Sequence, residues 1–129
     1  NLPLVPCEPA MIQQVFFNIL KNGAQAMFGD NASNRAPRFD ISARRDNGFL
    51  AVSIADNGPG MNAEVRRRVF DPFFTTKDPG FGTGLGLSVS YFIIVEDHGG
   101  TLAVDSTPGE GTTFTISLPL RSPKADENQ

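Results

Sequence analysis

Cysteine, histidine and long apolar runs are scarce or absent in this sequence of 129 residues, and each absence excludes a class of protein. Cys7 is the only cysteine, so neither an intrachain disulfide nor a metal site built from cysteines is expected, and a cytosolic compartment fits best. No stretch approaches the roughly 20 apolar residues of a membrane-spanning helix, and the first residues do not resemble a signal peptide. The single histidine, His98, stands just before two glycines, where helix capping is favoured over ligand binding.

Positive charge is also in short supply. The net charge is −3 and the isoelectric point is near 5.0, so nothing indicates binding to nucleic acid or to an anionic membrane surface, which needs a concentrated positive field. The only basic run, "RRR" at 66–68, is interpreted as a solvated helix face in preference to a ligand site.

The chain does contain enough apolar sequence for one core, at 40% hydrophobic residues. A chain of this size buries about two-thirds of its surface on folding. Helical spacing predicts a helix over 9–27, a short helix over 62–69 and a mostly apolar, buried helix over 85–97. Residues 28–37 are predicted to be a loop, and residues 122–129 a disordered tail.

Strands are predicted where apolar and polar residues alternate. Alternation occurs over 39–43 and 50–54 on either side of "DNG", and again over 102–104 and 114–118 around "TPGEGT". Each pair of segments predicts an antiparallel hairpin. With the helices they predict an α+β fold, a two-layer α/β sandwich in which a mixed, mostly antiparallel sheet packs on about three helices.

Two asparagines, Asn18 and Asn22, lie one turn apart in the first predicted helix and share a face close to Gln14 and Gln25. Asparagine is a poor helix former because its amide competes for backbone hydrogen bonds. One interpretation is a polar stripe that faces solvent. The other is that amide oxygens bind Mg²⁺ beside substrate phosphates, since Mg²⁺ prefers oxygen ligands.

The motif "DNGPGM" at 56–61 directly follows the second predicted strand. A buried Asp56 carboxylate is a strong hydrogen-bond acceptor, and the exocyclic amino group of adenine is a matching donor. The alternative is an Asp-Asn-Gly turn between strands.

Residues 80–87, "GFGTGLGL", place a glycine at every second position and lead into the apolar helix. Unpaired N–H groups at a helix start bind anions, and glycines let a phosphate approach closely. The stretch is neither a P-loop nor a Rossmann fingerprint, because it lacks the Lys-Ser/Thr pair of the first and the preceding strand of the second. A glycine-rich linker is the alternative. Lys77, on the loop before it, is a candidate for binding a terminal phosphate.

Taken together and in order, these motifs resemble the catalytic ATP-binding domain of bacterial sensor histidine kinases, in the superfamily that includes DNA gyrase, the MutL repair proteins and the heat-shock chaperone ATPases. The stretch "QVFFNILKNGAQAM" is similar to the N box, "DNGPGM" to the first glycine box, "FDPFFTTK" to the F box, "GTGLGL" to the second glycine box and "GEGTTF" to the closing glycine-threonine turn. The resemblance covers residues 6–120 and implies the Bergerat ATP-binding fold.

The resemblance implies a role for each matching residue. Asn22 would ligate Mg²⁺, and Asn18 would lie near the phosphates of ATP, where Lys77 would complete the catalytic set. Asp56 would accept from the adenine amino group, and Gly60 would let the base lie against the backbone. Other residues would hold the triphosphate under a lid of residues 75–83 or support the base: Gly58, Thr76, Gly82, Thr83, Gly84, Leu85, Gly86 and Thr113.

The chain departs from the family pattern at two positions of the N box. ATP-hydrolysing relatives carry a glutamate where this chain has Asn18, and an amide cannot act as a general base, so weak intrinsic hydrolysis is expected. Gly23 replaces the common alanine, at a cost of about 1 kcal/mol in a helix interior. A strand that usually lies upstream of "LPLVPCEP" is also expected to be missing.

The resemblance implies that residues 1–121 form a cytoplasmic domain that binds ATP and Mg²⁺ and donates the γ-phosphoryl group to a histidine. That histidine would lie on a dimerisation and histidine-phosphotransfer domain of the same parent protein, which in turn serves a response regulator receiver domain. The chain is therefore not expected to complete the reaction alone, nor to contact nucleic acid or membrane directly. The alternatives are an anti-sigma-type protein serine kinase and a non-catalytic ATP-sensing module.

Overall fold

The computed structural model describes residues 7–28, 36–72, 74 and 86–120. The expected lid at 75–83 and the expected tail at 122–129 lie outside these residues, as does most of the loop expected at 28–37. Among the described residues, none of the helices combines the length and the apolar content that a membrane span requires.

The first helix, α1, spans Pro9–Phe28, close to the predicted range. Its proline occupies the first turn, where a missing N–H breaks no helical hydrogen bond. The buried residues Val15, Ile19, Gly23 and Met27 recur every four positions. They therefore form one stripe along the helix, which packs on the sheet.

Strands β1 (Phe39–Asp46) and β2 (Phe49–Asp56) form the first predicted hairpin. The two residues between them, Asn47 and Gly48, have φ angles of 47° and 83°. A two-residue hairpin turn of this kind needs positive φ at both positions, which Asn-Gly adopts readily. The hairpin prediction is confirmed.

Strands β3 (Thr101–Thr107) and β4 (Gly111–Pro119) form the second predicted hairpin. Because β4 also pairs with β2, the strand order is β1-β2-β4-β3. Every pair among the described strands is antiparallel.

Two shorter helices complete the described part of the fold. Helix α2 (Ala63–Arg68) begins after Asn62, whose side chain accepts the Val65 N–H at 2.9 Å and so caps the helix. Helix α3 (Gly86–Tyr91) continues directly into a π-helical segment, Phe92–Asp97.

The prediction that the segment 85–97 is buried is only partly correct. Its inner face buries Ser90, Ile93 and Ile94, but three apolar side chains on its outer face are 40–55% exposed: Val89, Tyr91 and Phe92. Only one face of the segment packs on the rest of the domain. The segment is therefore less buried than its apolar composition predicts.

The core lies between the helices and the inner face of the sheet. Burying one large side chain completely contributes about 1.5–3 kcal/mol of stability. The fully buried apolar residues come from both layers: Val15, Ile19, Ile54, Ile94, Phe114 and Ile116. The predicted α+β class with two layers is confirmed.

His98 ends the π-helical segment and joins it to the start of α1. Its Nε2 atom accepts the Glu8 N–H at 3.0 Å, so Nδ1 carries the proton and donates to the Ile93 carbonyl at 2.8 Å. Among the described contacts, the single histidine is therefore a helix-terminating residue, as its place in the sequence predicts.

Candidate functional site

Asp56, the last residue of β2, is the acceptor around which the candidate site is built. Its Oδ1 atom accepts the Gly58 N–H at 2.9 Å, and the N–H of Thr112 on the neighbouring strand also reaches the carboxylate. Burial raises the pKa of the Asp56 carboxyl above its ordinary value, and the two N–H donors oppose that rise. The carboxylate is thus partly desolvated and a strong acceptor for a ligand donor.

Two glycines make room for this carboxylate between the sheet and α1. A Cβ atom on Gly58 would lie 3.1 Å from Oδ1 of Asp56, and one on Gly23 would lie 3.3 Å from Oδ2. The structure therefore brings Asp56 and Gly58 together beside α1.

The glycine loop that follows Asp56 is docked on the turn between β3 and β4. The Pro59 carbonyl accepts the Gly109 N–H at 2.7 Å. Gly60 has a φ of 76°, and a Cβ there would lie 2.2 Å from the Thr107 carbonyl oxygen. Both its φ angle and its close packing require glycine. Its contact with a bound base stays a prediction.

Ser106 holds that docking together, and sequence reasoning missed it. Its buried Oγ atom accepts the Met61 N–H at 2.7 Å and donates to the Gly111 carbonyl at 2.9 Å, so the Thr112 hydroxyl, also at 2.9 Å, donates to it. A possible signal was a serine at an inward position of β3, two residues after the apolar residue Val104.

The basic run at 66–68 is not only a solvated face. Arg66 Nη1 donates to the Ser106 carbonyl at 3.2 Å, which ties α2 to β3. Arg68 stacks over the ring of Phe74 at 4.6 Å and lies 3.7 Å from the Asp71 carboxylate. The interpretation as solvated residues holds best for Arg67, which is exposed.

Asn18 joins α1 to the first turn of α3. Its Oδ1 atom accepts from Gln14 at 2.9 Å, while its Nδ2 atom donates to the Gly86 carbonyl at 3.1 Å and to the Ser90 hydroxyl at 3.2 Å. The fully buried Ser90 in turn donates to the Gly86 carbonyl at 2.9 Å. Asn18 therefore contacts a second helix, so the interpretation of a polar stripe that only faces solvent does not hold for this residue.

The other predicted residues differ in how far the structure describes them. Asn22 lies one turn after Asn18 and is half-buried. Thr113 pairs with Ala55, and Thr112 is the residue directly opposite Asp56. The remaining predicted ligand residues lie outside the described part: Thr76, Lys77, Gly82, Thr83, Gly84 and Leu85.

The described phenylalanines of the F box anchor its start. The Phe70 ring lies 5.3 Å from the Tyr91 ring and 6.1 Å from the core residue Phe114, centroid to centroid. Offset and edge-on pairs at these distances stabilise a fold beyond the area they bury. Core packing therefore accounts for Phe70.

The described residues could hold Mg²⁺ only through amide oxygens, together with oxygens of a bound substrate. Among the described residues, no three histidine, cysteine or acidic side chains are grouped so that they could hold a metal ion. The amide oxygen of Asn22 is a ligand type that Mg²⁺ accepts together with phosphate oxygens and water.

The chain is similar over most of its length to a known family and to parts of much longer proteins. Residues 7–122 match the family described as histidine kinase-, DNA gyrase B-, and HSP90-like ATPase. Sporulation kinase E of Bacillus subtilis is 43% identical over 122 residues, which cover 94% of this chain and 15% of the kinase. The sensor histidine kinase ZraS of Escherichia coli is 37% identical over 126 residues, covering 98% of this chain and 25% of that protein.

A solved structure supports the same likeness. The nucleotide-free catalytic domain of histidine kinase ThkA superposes with a TM-score of 0.74 at 32% identity, covering 90% of this chain and 70% of that one. The chain thus spans most of a catalytic domain but only a quarter or less of these two curated relatives.

Proposed function

The chain belongs to the family of histidine kinase-, DNA gyrase B- and HSP90-like ATPases, and from that premise we propose that it binds Mg²⁺-ATP and donates the γ-phosphoryl group to a histidine. The acceptor would lie on a dimerisation and phosphotransfer domain of the same parent protein. A response regulator receiver domain would then take the phosphoryl group. Among the proteins similar to this chain, ZraS is named a sensor histidine kinase and ThkA a histidine kinase, which supports this reaction over others in the family.

The observation that carries the proposal is the Asp56 carboxylate at the junction of sheet, α1 and glycine loop. The carboxylate is half-buried, and desolvation raises its pKa. Because it is partly shielded from water, it can accept a hydrogen bond from a bound ligand. A purine amino group would donate to it. The hydrogen bond from the Gly58 N–H also makes Asp56 part of an Asx turn, and it is the burial of the carboxylate that favours a ligand over a turn alone.

On the phosphate side we assign positioning, not proton transfer. Phosphoryl transfer depends mainly on holding the groups in line and neutralising charge. Asn18 fixes the first turn of α3 against α1 through Gly86 and Ser90. Since an amide cannot deprotonate water, hydrolysis should be slow, and the incoming histidine supplies the nucleophile.

The other phosphate-side residues enter the proposal from the family resemblance. Asn22 would hold Mg²⁺, which neutralises phosphate charge when bound. Lys77, Thr76 and residues 82–86 would enclose the triphosphate. We further propose that residues 1–121 form one ATP-binding domain and that this domain is cytoplasmic.

Phosphotransfer to an added partner tests the proposal. The chain is mixed with the histidine-bearing phosphotransfer domain of its parent protein and ATP labelled in the γ-phosphate. We expect label on the partner that is lost in acid, as phosphohistidine is. Asp56→Asn should strongly reduce the label, whereas Asp40→Asn, on the exposed strand β1, should not. Acid-stable label would favour the serine kinase, and ATP binding without transfer would favour the sensing module.

A further inference from the structure

We propose that Phe39 and Gly23 form the wall of the base pocket beside Asp56, and that Phe39 determines specificity by excluding purine nucleotides substituted on the exocyclic amino group. The inference rests on the proposed ATP-binding function and adds a selectivity to it. Three observations support the inference: the strand register, the space at Gly23 and the contacts of Asn57.

The strand register makes Phe39 and Asp56 neighbours. Phe39 begins β1 and pairs directly with Asp56 at the end of β2. Directly paired residues in an antiparallel sheet project from the same face, with Cβ atoms about 4.5–5.5 Å apart. The aromatic ring and the carboxylate therefore lie side by side.

Gly23 leaves the space that the ring occupies. A Cβ atom on this residue would lie 2.6 Å from Cε1 and 2.9 Å from Cζ of Phe39, and 3.3 Å from Oδ2 of Asp56. An alanine methyl and the ring cannot share that volume. Glycine weakens a helix interior, so its presence in the middle of α1 follows from the position of the ring.

Asn57 ties the position of Phe39 to that of the acceptor. Its Oδ1 atom accepts the Arg38 N–H at 2.9 Å, and its Nδ2 atom donates to the Ala36 carbonyl at 2.7 Å. The residue after Asp56 thus holds the chain that enters β1. An amino group that donates to Asp56 lies next to the ring, so a bulky substituent on that group meets the ring.

The test compares ATP with N6-benzyl-ATP by calorimetric titration. In Phe39→Ala, the preference for ATP over N6-benzyl-ATP should fall by about tenfold or more. The reason is that the benzyl group no longer overlaps with the Phe39 ring. The matched control is Ile41→Ala, two residues along the same strand and 59% exposed, which should leave the preference unchanged.

A second pair of variants tests the role of Gly23. Gly23→Ala should weaken binding of ATP itself by about tenfold, and the double variant with Phe39→Ala should recover it, because the ring no longer competes for space. A purely structural role of Phe39 would not alter nucleotide preference. If Phe39→Ala fails to fold by circular dichroism, Phe39→Leu provides the same comparison.

The outcomes separate this inference from the proposed function. An unchanged preference in a folded Phe39 variant, with ATP binding lost in Asp56→Asn, overturns the inference and leaves the ATP site standing. Absence of ATP binding by the unaltered chain, or full binding by Asp56→Asn, overturns the proposed function and the inference with it.

Discussion

Replacing Asp56 with asparagine should weaken nucleotide binding while leaving the unliganded fold as stable as before or more stable. The two effects have different causes. The carboxylate is a charged acceptor for a ligand donor, and hydrogen bonds to charged groups contribute about 1.5–3 kcal/mol. Asparagine is uncharged and brings a competing donor. The dissociation constant for ATP should therefore rise by about 10- to 150-fold.

The stability effect follows from the raised pKa of Asp56, whose largest cause is burial. Because the pKa is higher in the folded than in the unfolded chain, the folded state holds the proton more tightly. The stability this supplies is fully present below the ordinary aspartate pKa and is lost as the pH rises through the raised value. Asparagine cannot ionise and does not suffer this loss.

Thermal unfolding of the unliganded chain at a series of pH values measures this. The melting temperature of Asp56→Asn relative to the unaltered chain should increase from acidic to neutral pH. Asp40→Asn, with a side chain 67% exposed, is the matched control for binding and should retain ATP affinity. The reasoning would be refuted if Asp56→Asn bound ATP within a few-fold of the unaltered chain, or if its melting temperature relative to the unaltered chain fell as the pH rose.

Three further substitutions, the last with Gly99→Ala as its control, test contacts of the glycine loop, of α1 with α3, and of the backbone just before β3. Ser106→Ala removes a buried hydroxyl that accepts an N–H, so the free energy of unfolding should fall by about 1–3 kcal/mol, and an unchanged urea midpoint would contradict this. Asn18→Asp removes the Nδ2 donor that bonds both Gly86 and Ser90 and should cost about 1–2 kcal/mol in the same assay; no loss would show that the amide contacts contribute nothing. Gly100→Ala places a Cβ 2.1 Å from the Ser117 carbonyl and should cost about 3 kcal/mol. Gly99→Ala, with a φ of 65° but open space, should cost only about 1 kcal/mol, and equal losses would refute the packing argument.

Local patterns predicted most of the described fold, because each described element carries its own signal. The spacing of Val15, Ile19 and Met27 predicts a helix, and Asn47-Gly48 predicts the turn of a hairpin. These signals depend on neighbours within a few residues. The exposure of Phe92 could not be predicted in this way, since it depends on what packs on the outer face of the helix.

The contacts that shape the site depend on pairing between distant residues. In the sequence, Gly23 stands out only as a departure from the family pattern, because the ring that requires a glycine there belongs to Phe39, 16 positions away. Ser106 takes its role from a register that places β3 beside β4 and under the glycine loop. Motif order predicted Asp56 and Gly58 together because they are two residues apart in one short motif, at the end of β2 and just after it.

The most direct test of ATP binding is a calorimetric titration of this chain with ATP and ADP, each with and without Mg²⁺. We expect binding that is selective for adenine nucleotides and is strengthened for ATP by the metal. A chain that is well folded by circular dichroism and binds neither nucleotide under any of these conditions would contradict the proposed function.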